Sequence, residues 1–234
     1  MHPETNYLAQ LRLLQLADSA LPIGTTAHSF GLETLVAEEI LTVPQLEPFL
    51  QAHLAEVGQL EAVFCRASYY LAKQSEFEAS WLNLNQRLSA FKPARESRIA
   101  SATLGRRLLQ LVVGLDNWPL IQTALQISRQ AEGEIHHCAA FGLVGGVLEL
   151  GQEATVLAYL QQSLGGLVSA CQRLLPLGQS QASRILWNLK PHIVEIADLS
   201  QNYQPDSEEL ACFTPLLDLA AMRHPALHTR LFIS

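Results

Sequence analysis

Charge is what this sequence has least of. Only 16% of its 234 residues are Asp, Glu, Lys or Arg, against roughly a quarter in an average soluble chain. Either the core is large or part of the surface is kept apolar for a partner to cover. Basic charge is scarcer still: 15 Lys and Arg stand against 22 Asp and Glu, a formal net charge of −7. That balance excludes the basic footprint that general nucleic-acid binding needs. Only three of the cations are Lys; the Arg excess suits interfaces, where the guanidinium fork makes planar, multidentate contacts. The four cysteines, Cys65, Cys138, Cys171 and Cys212, lie far apart with apolar neighbours and without CxxC or zinc-site spacing, which predicts buried, reduced thiols. Long apolar runs are missing too. The longest uncharged one, Cys138–Leu148, falls well short of the ~20 residues needed to span a bilayer, and the opening MHPETNYLAQL lacks the charged-then-apolar order of a secretory signal. A cytoplasmic protein that engages neither membrane nor nucleic acid is expected. There is no GxxxxGK[ST] loop and no strand followed by GxGxxG, so the chain does not hydrolyse a nucleotide by itself.

What is present is helical periodicity throughout, with no sustained strand-like alternation. Tyr7–Ala17 is apolar on nearly every face and reads as a buried helix. Ser29–Ile40 is amphipathic. Thr42-Val43-Pro44 opens a helix with Pro in the tolerated first turn, running to about Lys73 with Gly58 as a break. Further helices are expected near 76–90, 94–114, 118–131, 136–150, 153–175, 179–199 and 214–223, joined by short linkers marked by Pro and Gly. The expectation is one all-α domain over 1–234, a bundle of about nine to ten helices, with 224–234 as a tail. Gly142, Gly145 and Gly146 in FGLVGG mark a helix face flat enough for close packing or for a dimer seam.

Candidate chemistry concentrates in Leu13–Glu33, LLQLADSALPIGTTAHSFGLE. A plain connector needs one helix stop and one cap; this one holds Asp18, Ser19, Pro22, Gly24, His28, Ser29, Gly31 and Glu33. Ser29 and His28 do not form a nucleophile–base unit of a recognised pattern, since no GxSxG elbow is present. Ser29 is better placed as a helix N-cap, with Glu33 favoured by the helix dipole and Asp18-Ser19 closing the previous helix. His136 and His137 are adjacent and point about 100° apart on a helix; His224 and His228 have i, i+4 spacing interrupted by Pro225. No tight metal site is expected. Arg95, Arg98 and Arg106 fall on one stripe of the 94–114 helix, either a solvated face paired with local carboxylates or a surface for an acidic partner. The ending HPALHTRLFIS is apolar and basic where termini are ordinarily polar. It must tuck into its own core or dock into a neighbour. On residues alone, a small-molecule enzyme using the 18–29 loop with His136 or His137, a generic helical adaptor and a scaffold all stay open.

Five ordered blocks resemble the urease accessory protein UreF family. They are the LQLADS…PIG…HSFGLE signature, KPARESRIASATLGRRLL (92–109), HHCAAFGLVGG (136–146), LVSACQRLLPLGQSQASRIL (167–186) and the closing MRHPALHTRLFIS. The resemblance implies an all-α, cytosolic homodimer that is not an enzyme. It implies a scaffold acting with UreD (also called UreH) and the GTPase UreG to insert nickel into apo-urease, with no tightly bound cofactor and nickel only in transit. Partner-binding residues carried over by position are Asp18, Ser19, Pro22, Gly24, His28, Ser29, Gly31 and Glu33 in the signature. Arg98, Gly105, Arg106, Arg173, Gly178 and Gln179 follow from the middle blocks. Arg230, Leu231, Phe232 and Ser234 come from the tail, which in the family helps engage UreD. Thr25-Thr26 departs from the pattern, because many members carry an aromatic there.

Overall fold

The computed structural model describes residues 3–234; the first two residues of the segment examined for a secretory signal lie outside it. Twelve α-helical segments follow one another: α1 (Pro3–Leu16), α2 (Leu32–Ala37), α3 (Val43–His53), α4 (Gln59–Leu71), α5 (Phe77–Ala90), α6 (Arg95–Leu115), α7 (Pro119–Gln130), α8 (His137–Val147), α9 (Gln152–Leu174), α10 (Gln179–Asn188), α11 (Lys190–Leu199) and α12 (Pro215–Arg223). Two pairs are nearly continuous. A π-helical turn, Leu54–Gly58, joins α3 to α4, so Gly58 widens the helix where a break is expected from sequence. Leu189 separates α10 from α11, because Pro191 has no N–H to continue the ladder and its ring crowds the preceding turn. The chain is all-α, and no strand occurs among the described residues.

The apolar α8 lies at the centre, buried from His137 to Gly146. Its glycines are a seam inside the chain, not between chains. A Cβ on Gly142 would run into the Cys65 carbonyl of α4, one on Gly146 into the Tyr69 carbonyl, and one on Gly145 into Thr155 of α9. Gly105 of α6 meets the Ile135 carbonyl in the same way. Close approach of backbones is the reason these helices tolerate glycine at a helix-propensity cost of about 1 kcal/mol each. Gly142→Ala is therefore expected to destabilise by about 2–3 kcal/mol through overpacking. Gly165→Ala, in a part of α9 with nothing within 4 Å of the added carbon, should instead stabilise by up to about 1 kcal/mol. Urea unfolding of the two variants checks the opposite signs.

One expectation is overturned at α1. Instead of being buried, it presents Tyr7, Leu8, Leu11 and Leu14 to solvent, 50–68% exposed, and among its described side chains only Leu16 is fully covered. An all-round apolar helix satisfies its inner face with a few residues, and here that face meets α9 while Arg12 reaches over the Trp118 ring. The α2 helix is also shorter than the expected 29–40. It starts after Gly31, whose φ of 91° lies in the left-handed region, and stops at Ala37.

Candidate functional site

The signature loop is built by hydrogen bonds at its start and by backbone geometry at its end. Asp18 accepts the Ala20 N–H at 2.8 Å and closes the turn after α1, as its position in the sequence suggests, while Gln162 of α9 donates to the Leu16 carbonyl at 2.9 Å. Ser19 and Pro22 are exposed. Gly24 has φ 91° and passes beneath Arg107 of α6, which donates to the Ile23 carbonyl. A short 3-10 turn, Thr25–Ala27, follows. The loop then leaves through two consecutive left-handed residues, Phe30 at φ 52° and Gly31 at φ 91°. A side chain on Gly31 would press on the Leu217 carbonyl of α12 at 2.9 Å.

The last residues of the chain close on this loop. Ser29 N–H donates to the Ser234 carbonyl and Ile233 N–H to the Ala27 carbonyl, while His28 Nδ1 lies 2.8 Å from Ser234 Oγ. Glu33 is the anchor. Its carboxylate accepts the Leu231 N–H at 2.6 Å and the Phe232 N–H at 3.2 Å and faces His224 Nε2 at 2.8 Å. His224 Nδ1 faces Glu96 of α6, also at 2.8 Å, so one buried imidazole bridges two carboxylates, each of which accepts a hydrogen bond when both ring nitrogens carry a proton. Arg173, at the end of α9, donates to the Thr26 carbonyl at 2.8 Å and stacks over the Phe232 ring at 4.3 Å. The tail thus tucks in: Phe232 and Ser234 are buried, and Leu231 and Ile233 point outward, 58% and 69% exposed. Burial, and then the nearby Arg107 charge, hold His28 below the ordinary histidine range.

Nine of the sequence candidates therefore meet here: Gly24, His28, Ser29, Gly31, Glu33, Arg173, Leu231 (through its backbone), Phe232 and Ser234. Some of the expected roles change. Ser29 is not a side-chain cap; α2 has Gly31 at its N-cap, and the buried Ser29 Oγ has no partner. Its contribution is through the backbone. His224 and His228 do not form a chelating pair, because His224 is enclosed by carboxylates and His228 is exposed. The arginine stripe divides. Arg98 turns inward to Glu134 at 3.4 Å and donates to the Lys92 carbonyl, whereas Arg106 stays exposed on the rim of a wide polar groove with Arg129. Gln179 stands exposed at the first position of α10, and Arg230 is exposed in the tail.

Behind the loop lies a cavity of about 100 Å³ that sequence reasoning missed. Thr25, His28 and Phe30 form one wall; the others include His53, His137 and Asp218. At its base Glu61 pairs with Lys92 at 2.6 Å and accepts the Tyr159 hydroxyl at 2.7 Å. Burial alone pushes the Glu61 carboxyl up, but the Lys92 charge and both hydrogen bonds more than offset it and leave it below the usual range. Burial pushes His53 and His137 down to about 4, so both are neutral at pH 7, and His137 Nε2 has no protein partner. His136 is held separately between Ser89 and Ser101. The thiols are unreactive by environment: all four are free, and burial pushes even the partly accessible Cys212 up to about 11. No group of three His, Cys, Asp or Glu side chains suited to a metal ion occurs among the described residues, and none of their helices is long and apolar enough to cross a membrane.

The profile of the UreF family matches residues 41–190. Among relatives named urease accessory protein UreF, that of Lachnoclostridium phytofermentans is 31% identical, covering 98% of this chain and 99% of its own. That of Nostoc sp. strain PCC 7120 is 34% identical over 96% of this chain and 95% of its own. The Bacillus sp. strain TB-90 protein is 31% identical over 96% and 98% respectively.

Proposed function

Because the chain belongs to the UreF family of urease accessory proteins, we propose that it is a scaffold in urease maturation that docks UreD, presents a surface to the GTPase UreG, modulates that GTPase and thereby times nickel delivery to apo-urease. It acts by binding, as a cytoplasmic homodimer, with nickel as cargo and not as a resident cofactor. The observation that carries this reading is the uncovered apolar face of α1, with Tyr7, Leu8, Leu11 and Leu14 side by side on a chain with little surface charge to spare. An apolar face of that kind is costly to leave in water and is a docking surface for a protein partner. The outward Leu231 and Ile233 of the docked tail supply a second apolar edge.

The test is urease activation in cells whose operon lacks its own UreF gene, with this chain supplied beside its UreD and UreG. The double variant Leu11→Asp/Leu14→Asp removes apolar docking area without touching the core. It is expected to stay folded, to lose co-purification with UreD, and to lower urease activation about tenfold or more. Retained UreD binding together with full activation would remove α1 from the docking surface. If UreG turnover is modulated by an arginine reaching the phosphates in trans, Arg106 is the exposed candidate and Arg98, engaged with Glu134, is not. Arg106→Ala then lowers GTP turnover in the complex, while Arg98→Ala acts through stability.

A second reading, a small-molecule enzyme, is favoured by one observation, the cavity beside His28 and His137 with its few convergent polar groups. Its charged pair is engaged internally, Lys92 and Tyr159 both on Glu61, and His28 faces Ser234, not Ser29. These contacts leave no activated nucleophile beside a base, and the scaffold reading accounts for more of the surface.

A further inference from the structure

We propose that residues 24–31 are a lid over the interior cavity and that the C-terminal tail is the latch that holds the lid shut. The proposal concerns access to the cavity and stands whatever passes through or binds there.

Three observations carry it. The lid supplies one wall of the cavity, through Thr25, His28 and Phe30. Behind that wall, His137 Nε2 and Gln162 Oε1 are buried polar atoms without protein partners, which leaves the interior hydrogen-bonding capacity for a guest or for water. The lid is bounded by left-handed residues at both ends, Gly24 on one side and Phe30-Gly31 on the other. A short segment between such points can change its path with few rotations, as hinges do. Between them, the lid's long-range backbone hydrogen bonds go to the tail and to the Arg173 side chain of α9, and none goes to the backbone of a neighbouring helix. Ser29 N–H reaches Ser234, the Ala27 carbonyl accepts Ile233 N–H, and the Thr26 carbonyl accepts from Arg173. The tail is itself anchored outside the lid, on Glu33 of α2 and, through His224, on Glu96 of α6. Withdrawing residues 230–234 therefore leaves Arg173 as the lid's one remaining long-range hydrogen-bond partner, while α2, α6 and α9 keep their own packing. Apart from the single ring of Phe232, the latch is polar and local, whereas the surrounding helices are held by extensive apolar burial, so the lid opens before the fold does.

The readout is the chemistry of the two neighbouring histidines. Diethyl pyrocarbonate acylates neutral imidazole that it can reach, and His137 is neutral at pH 7 and faces the cavity, whereas His136 is sealed between Ser89 and Ser101. Carbethoxylation is followed by peptide mass spectrometry on the full chain, on the 230–234 deletion, and on Arg173→Ala, whose side chain is exposed and whose loss spares the core. The deletion is expected to raise the His137 rate about tenfold or more, with Arg173→Ala raising it several-fold. His136 stays protected and the far-ultraviolet circular dichroism is unchanged. A His137 rate unchanged in both variants overturns the lid. A parallel rise at His136 and His137 in both also overturns it, because it reports loosening of the α5–α6–α8 packing and not the opening of one wall.

Discussion

Lys92→Met is expected to lower the stability of the free protein by about 3–5 kcal/mol, the loss that follows when one partner of a buried ion pair is removed. The Lys92 and Glu61 side chains are only 12% and 11% exposed, so water cannot take over the role of the ammonium. Glu61 would keep the Tyr159 hydroxyl, but a carboxylate enclosed by His53, Tyr159 and apolar side chains would be held by one neutral donor alone. The sign of the pH dependence identifies the cause. In the variant, burial without Lys92 lifts the Glu61 carboxyl above its unfolded value. The folded state then binds a proton more readily, and the penalty is largest at neutral pH and shrinks on moderate acidification. The double variant Lys92→Met/Glu61→Gln should recover most of the loss, since the amide still accepts from Tyr159 and carries no charge. Urea midpoints of the two variants at pH 7 check this. Equal losses in both would mean that lost packing, not the stranded carboxylate, sets the cost.

The helices were largely legible because apolar spacing and Pro–Gly punctuation are local signals. Thr42-Val43-Pro44 does open a helix, there reinforced by a capping box with Gln45, and Pro119 and Pro215 do open helices. What was not legible is what depends on distant partners. Nothing near α1 in the chain says that its leucines stay uncovered, since composition alone reads the same for a core helix and for a docking face. The break at Leu189 rests on one proline, and the π turn at Leu54–Gly58 leaves no trace in the spacing, because His53, Val57, Leu60 and Glu61 keep helical intervals.

The site shows the same division. The signature and the tail both carried dense polar chemistry, and each was singled out, yet 206 positions separate His28 from Ser234, and no sequence rule pairs them. Once they meet, the sequence makes sense. Glu33 sits in the first turn of α2, where two tail amides and an imidazole need an acceptor. The Leu-Phe-Ile ending alternates inward and outward so that Phe232 fills a pocket under Arg173 while its neighbours face solvent. Glu96 was passed over because a lone Glu on an amphipathic helix looks like a surface residue, and His224 was weighed only with His228 as a chelating pair. The signal that could have found them is the apolar company of His224 in MRHPALH, a poor place for an unpaired imidazole.

Acid should unfold this protein well before its carboxylates are neutralised, and the histidines are the reason. Burial, foremost, holds His136 at about 3 and His137 at about 4, while the same side chains in the unfolded chain take a proton near pH 6.5. Above that value neither state is charged and the pair costs nothing. Between about pH 6.5 and 4 the unfolded chain binds two protons that the folded chain refuses, and each histidine withdraws about 1.4 kcal/mol of stability per pH unit. His53 adds to the loss in the same direction. Two histidines alone thus remove about 4 kcal/mol between pH 6.5 and 5, a large share of the 5–15 kcal/mol by which a domain is ordinarily stable. His137→Phe, which keeps an aromatic ring against Phe141 and Tyr159, should lose stability with roughly two-thirds of the wild-type slope, since His53 and His136 remain. Urea unfolding at pH 7.5, 6.5, 5.5 and 5.0 on both proteins decides the matter. A flat wild-type profile over that range would mean that the core admits protons without unfolding, and that access to His137 is already open with the tail in place.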